Sequence, residues 1–87
     1  MEKVTVRLHL VGSTPAINPK VFKLSRELKV AMVLQFIVKR LHLNAAPFLY
    51  VHNLFQITIE ELVGELFDVY KTGDELVISY CLSAAFG

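Results

Sequence analysis

The start of the chain alternates between apolar and polar residues, which is the pattern of a β-strand with one face in a core. The apolar members of this alternation are Val4, Val6, Leu8 and Leu10. A cluster of turn-forming residues follows at 12–15, and residues 20–24 predict a second strand. The chain is therefore expected to open with an antiparallel β-hairpin, which limits the folds it can adopt.

The next segment changes from a two-residue period to helical spacing. The apolar residues at this spacing are Val30, Val33, Leu34, Ile37 and Leu41. They predict a helix over about 28–43, with Lys39, Arg40 and His42 in its last turns, where positive charge complements the helix dipole. No good capping residue stands before this helix, so the pattern leaves its first residue open.

The second half of the chain predicts two further strands, a second helix and a last strand. Residues 48–52 form a β-type run, residues 54–56 a very short one, and residues 75–80 the last one. Thr58 and Glu61 match a capping box, in which the threonine hydroxyl accepts from the Glu61 N–H and the carboxylate reaches back. The apolar residues of the helix behind it are Ile59, Leu62, Val63, Leu66, Phe67 and Tyr70.

The predicted order is β-β-α-β-(β)-α-β within 87 residues. This order is typical of the α+β class and of a β-grasp, or ubiquitin-like, fold. It divides the chain into one domain over 1–80 and a tail over 81–87. The main alternative is a ferredoxin-like domain, which would normally open strand–helix–strand.

Charge and composition exclude several classes of function. Nine basic and eight acidic residues give a net charge of +1, and no basic stripe of a nucleic-acid binder is present. Cys81 is the only cysteine, so a disulfide framework is impossible within the chain and a reducing compartment is expected. The most apolar run, at 30–38, is about half a membrane span in length. These features predict a soluble, cytoplasmic protein.

The sequence proposes no active site. His9, His42 and His52 lack metal-ligand spacing, and Cys81 follows an apolar strand, where an inert structural thiol is expected. The four glycines are isolated, so no phosphate-binding loop is predicted. We expect no catalytic residue, metal or cofactor, and interpret the chain as a module that binds partners or is attached to them.

The last residues form an uncharged segment of small side chains that closes with Phe86 and Gly87. The seven residues after Tyr80 would reach roughly 23 Å if extended, at about 3.3 Å per residue. A glycine carboxyl has no Cβ beside it, so an adenylating site, a thiol or an amine can approach closely. On spacing alone, a frayed end is an equally good interpretation.

Several segments together resemble the autophagy-related protein 12 family. They are the turn at 11–15, the helical run at 34–41, the strand at 49–53 with Phe55, the run at 63–67, and the closing segment 76–87. Departures from the family pattern are the segment 56–58, where a Pro-rich entry to the second helix is usual, and the turn at 69–74. Many members also carry an N-terminal extension that this sequence does not contain.

The resemblance implies a ubiquitin-like modifier of autophagy. In that family the terminal glycine, matched by Gly87, is activated by autophagy-related protein 7 and passed through autophagy-related protein 10. It is then joined to a lysine of autophagy-related protein 5, and the conjugate promotes attachment of autophagy-related protein 8 to phosphatidylethanolamine. Ala85 and Phe86 would be recognised in the tail. Membrane contact would be indirect, through the conjugate at the autophagosome assembly site.

The resemblance also implies a contact with autophagy-related protein 3. Phe22 matches an aromatic that the family uses there, and Lys20 is assigned to the same contact. Val21 stands where the family often has a basic residue. Phe22 is therefore expected to face solvent, although its pattern alone fits the core equally well. Met32 and Phe36 are expected at the edge of the core. The alternative functions are another small ubiquitin-like modifier or a β-grasp module that binds without conjugation.

Overall fold

A computed structural model of the chain describes residues 2–12, 15–52 and 54–82. The elements in chain order are β1 Lys3–Leu10, β2 Val21–Ser25, α1 Val30–Leu41, β3 Phe48–Val51, β4 Phe55–Gln56, α2 Val63–Tyr70 and β5 Glu75–Cys81. The predicted order of strands and helices is confirmed, with most boundaries shifted by one or two residues.

The strands form one mixed sheet in the order β2-β1-β5-β3-β4. The central strands β1 and β5 run parallel, whereas β2 pairs antiparallel with β1, and β3 pairs antiparallel with both β4 and β5. The predicted hairpin of β1 and β2 is confirmed, with Val6 opposite Phe22. The ferredoxin-like alternative is wrong, because the chain opens with this hairpin and not with strand–helix–strand.

The core lies between the two helices and one face of the sheet, here called the helix side. Val6 of β1, Ile37 of α1 and Leu76 of β5 are completely shielded from solvent there. The alternating pattern explains this burial, since every second residue of a strand points to the same face. The other members of this cluster are Val4, Leu8, Ile17, Val30, Val33, Leu49, Val51, Ile57, Val63, Leu66, Ile78 and Tyr80.

The two helices cap each other through the backbone that precedes them. The first N–H groups of a helix have no partner within it, and neither helix here has a side-chain cap. Four crossed hydrogen bonds supply the partners: Val30 N–H to Glu61 O (2.9 Å), Ala31 N–H to Ile59 O (3.1 Å), Val63 N–H to Leu28 O (2.8 Å) and Gly64 N–H to Arg26 O (3.0 Å). The start of α1, which the pattern left open, is thus set by a segment thirty residues away in the chain.

The predicted capping box at Thr58 is wrong as a helix start. Helix α2 begins at Val63, and Leu62 before it is extended and forms a β-bridge with Lys29. The Glu61 carboxylate does accept from the Thr58 N–H at 2.7 Å, but the Glu61 N–H donates to the Thr58 carbonyl oxygen and not to its hydroxyl. These bonds close a turn. The helix starts later because Glu61 and Leu62 are held against the start of α1.

Arg26 and Gly64 bring the two helix starts into close contact. The Arg26 guanidinium donates to both carboxylate oxygens of Asp68, at 3.0 and 2.6 Å. A Cβ atom added at Gly64 would lie 2.6 Å from the Arg26 Cβ and 2.9 Å from its carbonyl oxygen. Position 64 therefore needs a glycine because the two backbones approach each other too closely for a side chain.

Candidate functional site

The tail residues assigned from the sequence, Ala85, Phe86 and Gly87, lie outside the described residues. The structure describes the point from which the tail begins, up to Leu82. Their roles stay predictions. The described part of the site is the end of β5 together with the residues that hold this strand in place.

Tyr80 fixes the end of β5 to the loop at 15–20. Its side chain is buried, and its hydroxyl donates to the Pro15 carbonyl oxygen at 2.9 Å. Its own carbonyl oxygen accepts from the Val11 N–H at 3.1 Å. Burial raises the pKa of the Tyr80 hydroxyl, and a hydrogen bond with the Ile17 backbone opposes that rise. The tail therefore begins from a well-anchored strand.

Cys81 and Leu82 differ in exposure at this point. Cys81 lies opposite Phe48 of β3 and is buried, whereas Leu82 is 44% exposed. A buried thiol is shielded from reagents and partners. This burial agrees with the structural role predicted for Cys81.

The expected solvent-facing orientation of Phe22 is wrong. Phe22 lies opposite Val6, and paired residues of an antiparallel ladder point to the same face, so its ring lies on the helix side. It is half-buried at the sheet edge and packs on Phe36 of α1, with ring centroids 5.1 Å apart. Val21 lies on the opposite face, beside Arg7. The role of Phe22 in binding remains a prediction.

Met32 and Phe36, both expected at the edge of the core, differ in exposure. Phe36 is half-buried against the core, as expected, but Met32 one turn before it is 48% exposed. Lys20, the other residue assigned to this contact, is exposed, and its carbonyl oxygen accepts from the Leu8 N–H at 2.7 Å. The structure thus places Lys20 directly before the same edge strand, β2.

An apolar surface that the sequence reasoning missed lies between β4 and α2. This β4–α2 patch consists of Leu54, Phe55, Val69 and Tyr70, of which the first three are 65%, 49% and 70% exposed. The rings of Phe55 and Tyr70 are 5.9 Å apart, and His52 packs edge-on against Tyr70 while its Nε2 donates to the Tyr70 carbonyl oxygen at 3.0 Å. Exposed apolar side chains grouped near such a ring contact are a feature of interaction sites.

Two signals could have found the β4–α2 patch. The predicted strand at 54–56 is too short to be covered on both of its faces, yet its first two residues are large and apolar. Val69 also falls outside the apolar spacing of its helix, so its side chain had to point outward.

Neither a metal-binding group nor a membrane-spanning helix is found in the described part of the chain. Its His, Cys, Asp and Glu residues form no group of three that could hold a metal ion. No helix among the described residues is long and apolar enough to cross a membrane.

The family model of the ubiquitin-like autophagy protein Apg12 matches residues 3–87, which is nearly the whole chain. The chain belongs to the Apg12 family. The resemblance stated from the sequence is thereby confirmed. Membership makes the chain a ubiquitin-like protein of autophagy and not an enzyme, as the sequence predicted.

Relatives within the family agree with this assignment. The chain is 44% identical to the ubiquitin-like protein ATG12 of Debaryomyces hansenii and 43% identical to that of Meyerozyma guilliermondii, in each case over 98% of its length. It spans 56% and 40% of those two proteins, which is about half the length of the curated relatives it matches.

The crystal structure of ATG8 from Trypanosoma brucei superposes with a TM-score of 0.82. The match covers 98% of this chain and 77% of that one at 21% identity, so the likeness shows the fold alone. The predicted β-grasp fold is confirmed by it.

Proposed function

We propose that this chain is a protein modifier of autophagy that is joined through Gly87 to a lysine of autophagy-related protein 5. The observation that carries the proposal is the match of the Apg12 family over residues 3–87, which includes the terminal Phe86 and Gly87. The conjugate would promote attachment of autophagy-related protein 8 to phosphatidylethanolamine. In this proposal residues 1–80 are the ubiquitin-like domain and residues 81–87 the conjugation tail.

The chemistry needs an activated carboxyl group, because a free carboxylate resists attack by an amine. The Gly87 carboxylate would attack the α-phosphorus of ATP with loss of pyrophosphate, and a cysteine thiolate of autophagy-related protein 7 would then displace AMP. Thioester exchange with autophagy-related protein 10 and attack by a lysine amine would complete the isopeptide bond. Glycine leaves room for each of these approaches, and Phe86 gives the enzymes an apolar contact next to it.

The domain surface would recruit the enzyme of the lipidation step. We assign Phe22 and Lys20 to the contact with autophagy-related protein 3, and the β4–α2 patch is a second surface of suitable character. Phe22 sits at the exposed edge of β2, half-buried and still partly accessible. Truncated aromatic anchors at interfaces often cost more than 1 kcal/mol of binding free energy. The modifier would be cytoplasmic and reach the membrane only through the conjugate.

The test is a search for the conjugate in cells of the source organism. A denaturing gel should show a shifted band, and mass spectrometry of its tryptic peptides should show Gly87 linked to a lysine of autophagy-related protein 5. Deletion of Gly87 should abolish both the band and autophagy. If the deletion variant supports full autophagy, the covalent function is wrong and the module acts by non-covalent binding.

A further inference from the structure

The acidic residues of this domain all lie away from one of its ends. The segments that meet where β1 and β5 end are 8–12, 15–20, 36–48 and 79–82. This end of the domain contains none of the eight acidic residues. We call this the tail end. The acidic residues, which lie toward the opposite end, are Glu2, Glu27, Glu60, Glu61, Glu65, Asp68, Asp74 and Glu75.

Contacts in the structure show that the tail-end segments belong together. The Pro15 carbonyl oxygen accepts from the Tyr80 hydroxyl, and the Asn18 carbonyl oxygen accepts from Arg40 Nε at 2.7 Å. Phe48 pairs with Cys81 at the last position of β5. The start of β5 at Glu75 is six residues before Cys81, so the two ends of this strand are about 20 Å apart at roughly 3.3 Å per residue.

The tail end carries an uncompensated positive charge. Lys20, Lys39 and Arg40 lie there, and within the described residues none of them forms a salt bridge. Elsewhere Arg7, Arg26 and Lys29 are paired with carboxylates, and the other three lysines lie at the end that holds all the acidic residues. Three of the nine basic residues and no acidic one give this end +3, and the other six with all eight acidic residues leave −2 for the rest.

The position of this charge matters because the tail itself has none. Residues 81–87 are uncharged, so any long-range attraction that guides the tail must come from the domain around its origin. A charged surface beside a binding element raises the rate of encounter with an oppositely charged partner. The basic residues lie at the same end of the domain as the place where the proposed conjugation tail leaves β5.

We propose that the tail end is a docking surface for an acidic protein surface beside the cleft that receives the tail. This inference rests on the proposed function, since it assumes an enzyme that takes up Gly87. A protein partner fits better than an anionic membrane. Clusters of 4–8 basic residues are typical of lipid binding, and here there are three Lys and Arg. The apolar residues beside them, Leu10 and Leu82, are only 37% and 44% exposed.

The test measures thioester formation by the activating enzyme of the same organism, with ATP, over a series of salt concentrations. The variant Lys39→Glu/Arg40→Glu is compared with Lys23→Glu/Lys71→Glu, which changes the net charge equally on exposed residues away from the tail end. We expect KM to rise on the order of tenfold in the first variant at low salt, with kcat unchanged. The difference in KM between this variant and the wild type should shrink as salt is added, because salt screens the attraction. The control should behave like the wild type.

A second variant guards against misfolding, since Arg40 also holds the loop at Asn18. Lys20→Glu/Lys39→Glu leaves that hydrogen bond in place and should raise KM in the same way. Equal KM values in all variants, or an equal rise in the control, would overturn the docking surface while leaving the proposed function intact. A wild-type chain that forms no thioester would overturn both. Binding to phosphatidylserine vesicles that is lost with Lys39 and Arg40, at unchanged KM, would assign the surface to a membrane instead.

Discussion

The two ends of this domain are built in different ways. Where the helices begin, four crossed backbone bonds and the ion pairs Arg26–Asp68 and Lys29–Glu60 tie α1 to α2. Where β1 and β5 end, basic side chains stand without acidic partners in the described residues, and the tail begins. The first arrangement holds the fold together, and the second leaves charge and chain available to partners. Substitutions at the helix starts should therefore change stability, and substitutions at the tail end should change activity.

The largest expected effect on stability is at Gly64. Gly64→Ala should lower the free energy of unfolding by about 1–3 kcal/mol, because the added methyl group would lie 2.6 Å from the Arg26 Cβ and push the crossed bonds apart. Chemical denaturation measures the free energy of unfolding of the wild type and of the variant. Val69→Ala, at an exposed position of the same helix, should stay within about 0.5 kcal/mol. A neutral or stabilising Gly64→Ala would show that the close approach is not needed.

Phe22→Ala should separate stability from binding. We expect binding of autophagy-related protein 3 to weaken by more than about 1 kcal/mol. Because the ring packs on Phe36, some loss of stability is also expected, so the variant needs a matched control. Leu24→Ala, a half-buried residue on the same face of β2, should lose stability with binding unchanged. Equal binding losses in both variants would remove the specific role of Phe22.

Thr58 and Glu61 test the corrected start of α2. Thr58→Ala should cost less than about 0.5 kcal/mol of unfolding free energy, since the hydroxyl does not cap the helix and is exposed. Glu61→Ala removes the acceptor of the Thr58 N–H at 2.7 Å and should cost about 0.5–1.5 kcal/mol. Thermal melting of the two variants compares them. A larger loss in Thr58→Ala would restore the capping box.

The smallest effect concerns acid stability at the helix starts. Hydrogen bonds from Arg26 lower the pKa of the Asp68 carboxyl, and partial burial opposes this. A group whose pKa is lower in the folded state stabilises the fold above its ordinary pKa of about 4, and the benefit is lost as pH falls through the folded value. Urea midpoints at pH 7 and pH 3 should therefore differ more in the wild type than in Asp68→Asn. Equal differences would mean that the exposed pair contributes nothing.

How far the sequence could predict each region depends on whether the decisive contact is local. The alternation in β1 and the apolar spacing of α1 are local, so the strand, the helix and the β-grasp order followed from them. The face that Phe22 occupies did not, because Val21 beside it is also apolar and only the pairing with Val6 decides. The starts of both helices depend on backbone partners far away in the chain, which no local pattern contains. The tail residues form a recognisable chemical pattern in the sequence, but they lie outside the residues that the structure describes.

The most direct test of the account is the intact mass of the activating enzyme after incubation with ATP and this chain. The wild type should add its own mass, less one water, to the enzyme in a thioester adduct that a thiol reductant removes. A chain that ends at Phe86 should form no adduct, while its melting temperature stays that of the wild type, because the contacts described for the fold are all made by residues 2–82. An adduct with the shortened chain, or none with the wild type, would contradict the claim that this domain acts through its terminal glycine.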